Sequence, residues 1–110
     1  MATLTIVTPV PASGSALAPA SVAAGGDQFL NDGDIVLYFK NTNASSRTVT
    51  IATGGTIGGI AIADVTVALA QNEEKLVGPF DPRIFNDANG YVQLTYTADT
   101  GVTVAAIRVR

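Results

Sequence analysis

The chain has 110 residues, of which 14% are charged and 47% are hydrophobic, and its formal net charge is −3 at pH 7. It contains no histidine and no cysteine, which excludes a Ser–His–Asp triad, a thiolate nucleophile, disulfides and zinc sites built on those residues. Its six scattered Lys and Arg residues form no basic cluster, and no apolar run approaches the ~18 residues of a membrane span, so neither nucleic acid nor membrane is an expected partner.

The first segment is predicted to be an N-terminal extended arm over 1–15, followed by one domain over 16–110. Pro9 and Pro11 exclude a regular helix and a central strand there. The arm either reaches onto a neighbouring subunit or is a frayed terminus or first edge strand. Its apolar residues are candidates for a subunit interface: Leu4, Ile6 and Val7.

Short strands are predicted along the rest of the chain, separated by turn clusters such as 31–34 and 86–90. The segment from Ile35 to Asn41, with its continuous run of Ile, Val, Leu, Tyr and Phe, predicts a buried strand, and Thr48 to Ile51 alternates with a period of two. The strand patterns after the arm cover 17–23, 35–41, 48–51, 64–70, 75–80, 91–97 and 102–109.

Two local patterns refine this prediction. Asp81 followed by Pro82 has the N-cap and first-position residues of a short helical turn near 81–86, which would close one end of the core. Residues 98–101 are predicted to join the last two strands in a hairpin. The apolar pattern of the last strand changes face near 105–106, which indicates either a bulge or burial of both faces.

These patterns predict an all-β fold in a single domain. About eight short, mostly antiparallel strands at intervals of about 8–12 residues favour a β-sandwich, with a jelly roll as one form of it. The many β-branched residues suit pleated, half-buried surfaces.

Candidate sites are few. Asp27, Asp32 and Asp34 surround Gly33 with oxygen ligands of the kind that calcium binds, but the EF-hand spacing is absent and such residues also favour turns. We therefore expect no metal, no cofactor and no catalytic residue. The tyrosines and phenylalanines are expected in the core rather than in a sugar-binding platform.

The last strand carries two alternating arginines, Arg108 and Arg110. They are interpreted either as solvated charges that protect an edge strand or as ion-pairing residues for an acidic partner subunit. Both are therefore interface candidates.

Several segments occur together in an order that resembles small structural proteins of tailed bacteriophages. Such proteins are usually encoded among the capsid and head genes. The resemblance covers about residues 3–109. The segments that carry it are 22–29, the turn 31–34, 35–41, 48–51, 78–80, 85–87, 90–96 and 102–109.

The resemblance implies a non-enzymatic virion protein that decorates or cements the head shell, made in the host cytoplasm and located on the capsid surface. It implies a homo-oligomer, with a trimer as the expected form, in contact with the major capsid protein. Two alternatives stay open: a tail-tube or head–tail connector subunit, and a calcium-dependent carbohydrate- or host-binding β-sandwich module.

Overall fold

The computed structural model describes residues 2–8, 19–23, 25–54, 56–57, 59–98 and 100–109. Within these residues the chain forms twelve strands and one short helix. In chain order the elements are β1 (Ala2–Thr3), β2 (Ile6–Val7), β3 (Ala20–Ser21), β4 (Asp27–Leu30), β5 (Ile35–Asn41), β6 (Arg47–Ile51), β7 (Thr56–Ile57), β8 (Ile60–Ala61), β9 (Val65–Leu69), β10 (Glu74–Val77), α1 (Pro82–Phe85), β11 (Tyr91–Tyr96) and β12 (Val102–Arg108).

Ten of these strands form two sheets that pack face to face. Sheet A has the strand order β1-β4-β11-β6-β9. Sheet B has the order β10-β5-β12-β2, and β3 also pairs with β12. Neighbouring strands are antiparallel, except that β1 runs parallel to β4 and β2 runs parallel to β12. The strands β7 and β8 form a separate hairpin between β6 and β9.

Eight strands follow the connectivity of a jelly roll. Sheet A contributes β4-β11-β6-β9 and sheet B contributes β3-β12-β5-β10. Each connection between consecutive members of this set crosses to the other sheet, except the one from β6 to β9. The predicted all-β sandwich is therefore confirmed, and its strand order is that of the double-sheet jelly roll.

The core lies between the sheets and follows from the alternation of the strands. Along β5, Ile35, Leu37 and Phe39 are fully buried, whereas the residues between them are half-buried on the outer side. In sheet A, Val49 and Leu94 are among the residues that meet them from the other side. Each such side chain contributes about 1.5–3 kcal/mol by leaving water, which is why a chain without disulfides can hold this fold.

One end of the core is closed by the predicted helical turn. The carboxylate of Asp81 caps α1 by accepting a hydrogen bond from the backbone N–H of Arg83 at 2.9 Å. Phe85 at the end of the helix packs edge-on against Phe80, with 5.2 Å between ring centroids, and Phe80 contacts Phe29 at 5.6 Å. The prediction of a turn at 81–86 is therefore confirmed.

Three details of the sequence prediction are wrong. The strands β11 and β12 form no hairpin, because they belong to different sheets. The strand β4 was not among the predicted strands. The predicted strand 75–80 is the shorter β10, Glu74–Val77. The change of face in β12 is burial of both faces: its register with β5 is continuous, and Val104 to Ala106 are all buried.

The described part of the predicted arm pairs with the chain's own sheets. The strand β1 extends sheet A beside β4, and β2 extends sheet B beside β12. Between them the backbone N–H of Leu4 donates to the carbonyl of Gln28 at 2.8 Å. Residues 2–8 thus cross from one sheet to the other at the edge of the sandwich. Pro9, Pro11 and the predicted boundary at 15–16 lie outside the described residues.

Candidate functional site

The three calcium candidates do not converge on one point. Asp27 is buried, and its Oδ2 accepts hydrogen bonds from the Tyr96 hydroxyl at 2.7 Å and from the Ala23 backbone N–H at 3.3 Å. Asp32 is occupied by an ion pair with Arg108. Among the residues that the structure describes, no three His, Cys, Asp or Glu side chains are grouped so that they could hold a metal ion.

The electrostatics of these aspartates reflect their partners. The guanidinium of Arg108 holds the pKa of Asp32 below its usual range, with help from the backbone N–H of Asp34. Burial raises the pKa of Tyr96, and its hydrogen bond to Asp27 raises it further. The hydrogen bond between Tyr96 and Asp27 therefore links β11 to β4. The ion pair between Asp32 and Arg108 links the β4–β5 turn to the end of β12.

The five interface candidates have different environments. Leu4 and Ile6 pack against the hydrophobic core, so they are half-buried within this chain. Val7 lies on the outer side of sheet B, beside Ile107 in the parallel register of β2 and β12. Arg108 is engaged by Asp32. Arg110 lies outside the described residues.

The outer side of sheet B is apolar. In β5 the side chains that alternate with the core residues point outward, and the registers of β10 and β12 place their neighbours beside them. We call this surface the apolar face. It consists of Val7, Val36, Tyr38, Leu76, Ala105 and Ile107.

The apolar face is exposed where β10 forms its edge. The Leu76 side chain is 69% exposed, which is high for a leucine in a strand. Beside it, an open depression of about 400 Å³ is lined by Tyr38, Leu76, Ile107 and the stems of Glu74 and Lys75. A projecting leucine next to an apolar depression is the kind of surface that a protein partner covers.

One rim of the apolar face carries charges of both signs. The carboxylate of Glu74 lies 3.7 Å from the ammonium group of Lys40 and accepts the hydroxyl proton of Tyr38 in a short hydrogen bond. The Tyr38 hydrogen bond, and secondarily Lys40, lower the pKa of Glu74. Lys75 points away from the face, because its ammonium group donates to the carbonyl of Ala68 on β9 at 2.7 Å.

The outer side of sheet A is polar and uncharged over most of its area. Thr95, Thr50 and Thr66 lie side by side across three strands. In a second row, the amide of Gln93 donates to Gln28 at 2.9 Å. We call this surface the polar face; it consists of Thr3, Gln28, Thr48, Thr50, Thr66, Gln93 and Thr95, with Leu30 and Tyr91 at one end.

The Gln93 amide shows how tightly the polar face is organised. Besides donating to Gln28, its nitrogen donates to the carboxylate of Asp87 at 2.8 Å. The amide nitrogen of Gln28 in turn donates to the hydroxyl oxygen of Thr3 at 3.0 Å. The Tyr91 backbone N–H and then the Gln93 amide lower the pKa of Asp87. The buried Gln93 Oε1 accepts no hydrogen bond from the described residues.

A second cavity, of about 390 Å³, lies where the described N-terminal residues meet β12. Leu4, Val7, Val104 and Ala106 contribute apolar walls, and Asp27 contributes the only carboxylate of the described lining. Because that carboxylate already accepts two hydrogen bonds, it serves as a structural anchor of the cavity wall.

Comparisons with protein-family models, with curated proteins and with solved structures find no match for this chain. None of the helices in the described residues is long and apolar enough to cross a membrane. The chain's own surfaces, chiefly the apolar face, are therefore the basis for proposing a function.

Sequence reasoning missed most of the apolar face. The run 35–41 was interpreted as buried throughout, whereas Val36 and Tyr38 point outward. Leu76 gave no separate signal, because it stands in a short strand between a lysine and a valine. The available signal was strict alternation in β10, where Glu74 and Leu76 must share a face.

Proposed function

We propose that this chain is a non-enzymatic structural protein of a tailed-bacteriophage particle, which decorates or cements the outer surface of the head shell. It acts by burying apolar surface against further copies of itself and against the major capsid protein. Contacts that are weak singly become strong when they repeat over a lattice, because neighbouring contacts raise the effective concentration of each other.

The observation that carries this proposal is the apolar face. It exposes Leu76 next to the half-buried Tyr38 and an apolar depression, and the charged pair of Lys40 and Glu74 lies at its rim. Burying apolar area contributes about 25 cal/mol per Å², but association also costs translational and side-chain entropy, so such a contact gains strength by repeating over a lattice.

Two further features support a structural role over a chemical one. The sequence has no histidine and no cysteine, so it lacks the groups that most often serve as bases and nucleophiles near neutral pH. The jelly roll is an architecture of viral capsid domains, although lectin domains share it, so the fold alone does not decide between them.

The test is to locate the chain in purified particles. We expect quantitative mass spectrometry of gently purified virions to detect it in many copies, and electron microscopy with a labelled chain to place it on the head. A label along the tail or at the neck would support the tail-tube or connector alternative instead. Absence of the chain from intact particles would overturn the proposal.

A further inference from the structure

Two cross-strand pairs dominate the exposed edge of the apolar face. In the register of β10 with β5, Leu76 lies opposite Tyr38 and Glu74 lies opposite Lys40. All four side chains point outward from sheet B. The two charged side chains are well exposed, at 41% for Lys40 and 53% for Glu74, so both can reach a partner.

We propose that a second copy of this chain docks on the apolar face through a two-fold axis. The axis runs parallel to β5 and β10 and lies above the face, over the line midway between the two strands. This operation exchanges the two members of each cross-strand pair. Leu76 then packs on the partner's Tyr38, and Glu74 lies over the partner's Lys40. Both contacts occur twice, as an isologous interface requires.

The charges of the rim select a second copy as the occupant. A rim with one cation and one anion side by side is complementary to itself under this two-fold axis, since each charge meets its opposite. An arrangement of two copies that placed Lys40 over the partner's Lys40 would instead bring two like charges together, and they would repel each other. Lys75 points away from this face toward Ala68 on β9, which keeps a further cation out of the contact.

The shape of the face fits the same operation. The exposed Leu76 stands next to the depression that Tyr38 and Ile107 line. Under the two-fold axis each leucine enters the depression of the other copy. A projecting side chain and a receiving depression on one surface are what an isologous contact needs, and the tyrosine that each leucine meets is a residue type enriched among those that dominate binding energy.

This inference deepens the proposed function and rests on it for the expectation that copies meet on a common surface. A two-fold contact yields dimers of the isolated chain. If the copies also form trimers, as the resemblance implies, that assembly uses another surface and the two-fold contact joins neighbouring trimers.

The first test compares two Leu→Glu substitutions by sedimentation equilibrium of the purified chain. L76E places a charge in the centre of the proposed contact, whereas L30E is a matched control at a leucine that is 53% exposed on the opposite sheet. We expect L76E to raise the dimer dissociation constant by about tenfold or more and L30E to change it little. Equal effects of the two substitutions, with native circular dichroism, would overturn the proposal.

The second test uses charge reversal and stays informative if L76E does not fold. In K40E alone and in E74K alone, every facing rim pair has like charges, so each variant should dimerise less than the wild type. When the two variants are mixed, every facing pair is opposite in charge. We expect a heterodimer that is about tenfold tighter than either homodimer at low salt, and no preference for the heterodimer would contradict the two-fold arrangement.

The outcomes separate this inference from the proposed function. A chain that stays monomeric up to about 1 mM in solution, a concentration that corresponds to only ~4 kcal/mol, would overturn the two-fold contact even if particles contain the protein. A chain that dimerises as described but is absent from particles would overturn the proposed function and leave the contact standing.

Discussion

The two outer faces of the sandwich differ sharply although both cover the same core. Sheet A presents threonine and glutamine side chains that hydrogen-bond to one another, as Gln93 does with Gln28. Sheet B presents Tyr38, Leu76 and Ile107 around an open depression. Burial of the inner sides in one core does not explain this difference between the outer sides. On the proposed function, the polar face stays in water and the apolar face is covered by subunit contacts.

The largest effect on the free energy of unfolding is expected on the inner side of β5, where inward and outward residues alternate. F39A removes a fully buried ring and should lower the free energy of unfolding by about 3–5 kcal/mol. Y38A, one residue earlier on the apolar face, should lower it far less, because Tyr38 points outward and its hydrogen bond to Glu74 is exposed to solvent. Denaturant unfolding in urea measures both. Similar losses for the two variants would mean that the outward assignment of Tyr38 is wrong.

A smaller loss is expected where the two sheets are joined. The amide of Asn41, at the end of β5, donates to the carbonyls of Ser45 at 3.0 Å and Leu69 at 3.1 Å, and the residue is fully buried. N41A should cost about 1–3 kcal/mol, because it leaves the buried carbonyl of Leu69 without this donor. N89A, at an exposed turn residue, is the control and should cost far less. Thermal unfolding of the two variants would show the difference.

The sequence predicted the architecture better than the surfaces. Alternation in 48–51 and the apolar run of 35–41 were enough to predict a sandwich, because burial of one side is a local signal. The partnering of strands is not local: β11 and β12 are adjacent in sequence but cross between sheets, so the hairpin prediction was wrong.

The site was predicted only in part, for the same reason. Val7 was proposed for an interface and does lie on the apolar face, whereas Leu4 and Ile6 pack on the core. Which side of an apolar strand faces outward depends on the sheet stacked behind it. Tyr38 could not be placed outside until the position of sheet A was known.

Acid should lower the stability of the fold. One carboxylate on each face accounts for part of this loss of stability. Hydrogen bonds lower the pKa of Asp87 at the polar face and of Glu74 at the apolar face. A lowered folded-state pKa contributes stability above the unfolded value near 4, and this stability is lost as the pH falls through the folded pKa. The urea midpoint should therefore be level between about pH 6 and 8, where no histidine titrates, and should fall below about pH 4.

The variants D87N and E74Q apportion this acid loss between the faces. Each should start less stable at neutral pH and show a shallower decline toward pH 2 than the wild type. An unchanged decline in both variants would show that other carboxylates carry the acid sensitivity.

The smallest effect on stability is expected from the addition or removal of calcium. Asp32 is held by Arg108 and Asp27 by Tyr96, so neither is presented to a cation. Differential scanning calorimetry with excess calcium or with a chelator should give melting temperatures within about 1 °C of each other, because a ligand that binds only the native state raises the melting temperature. A rise of several degrees with calcium, together with glycan binding, would favour the carbohydrate-binding alternative.

The central claim is that the apolar face is covered in the assembled particle while the polar face is not. Hydroxyl-radical footprinting with mass spectrometry tests it directly, by comparing purified particles with the isolated chain at low concentration. We expect Tyr38 and Leu76 to be strongly protected in particles, while Tyr91 and Leu30 react as they do in the free chain. Equal labelling of Tyr38 and Leu76 in both samples, or protection confined to the polar face, would contradict it.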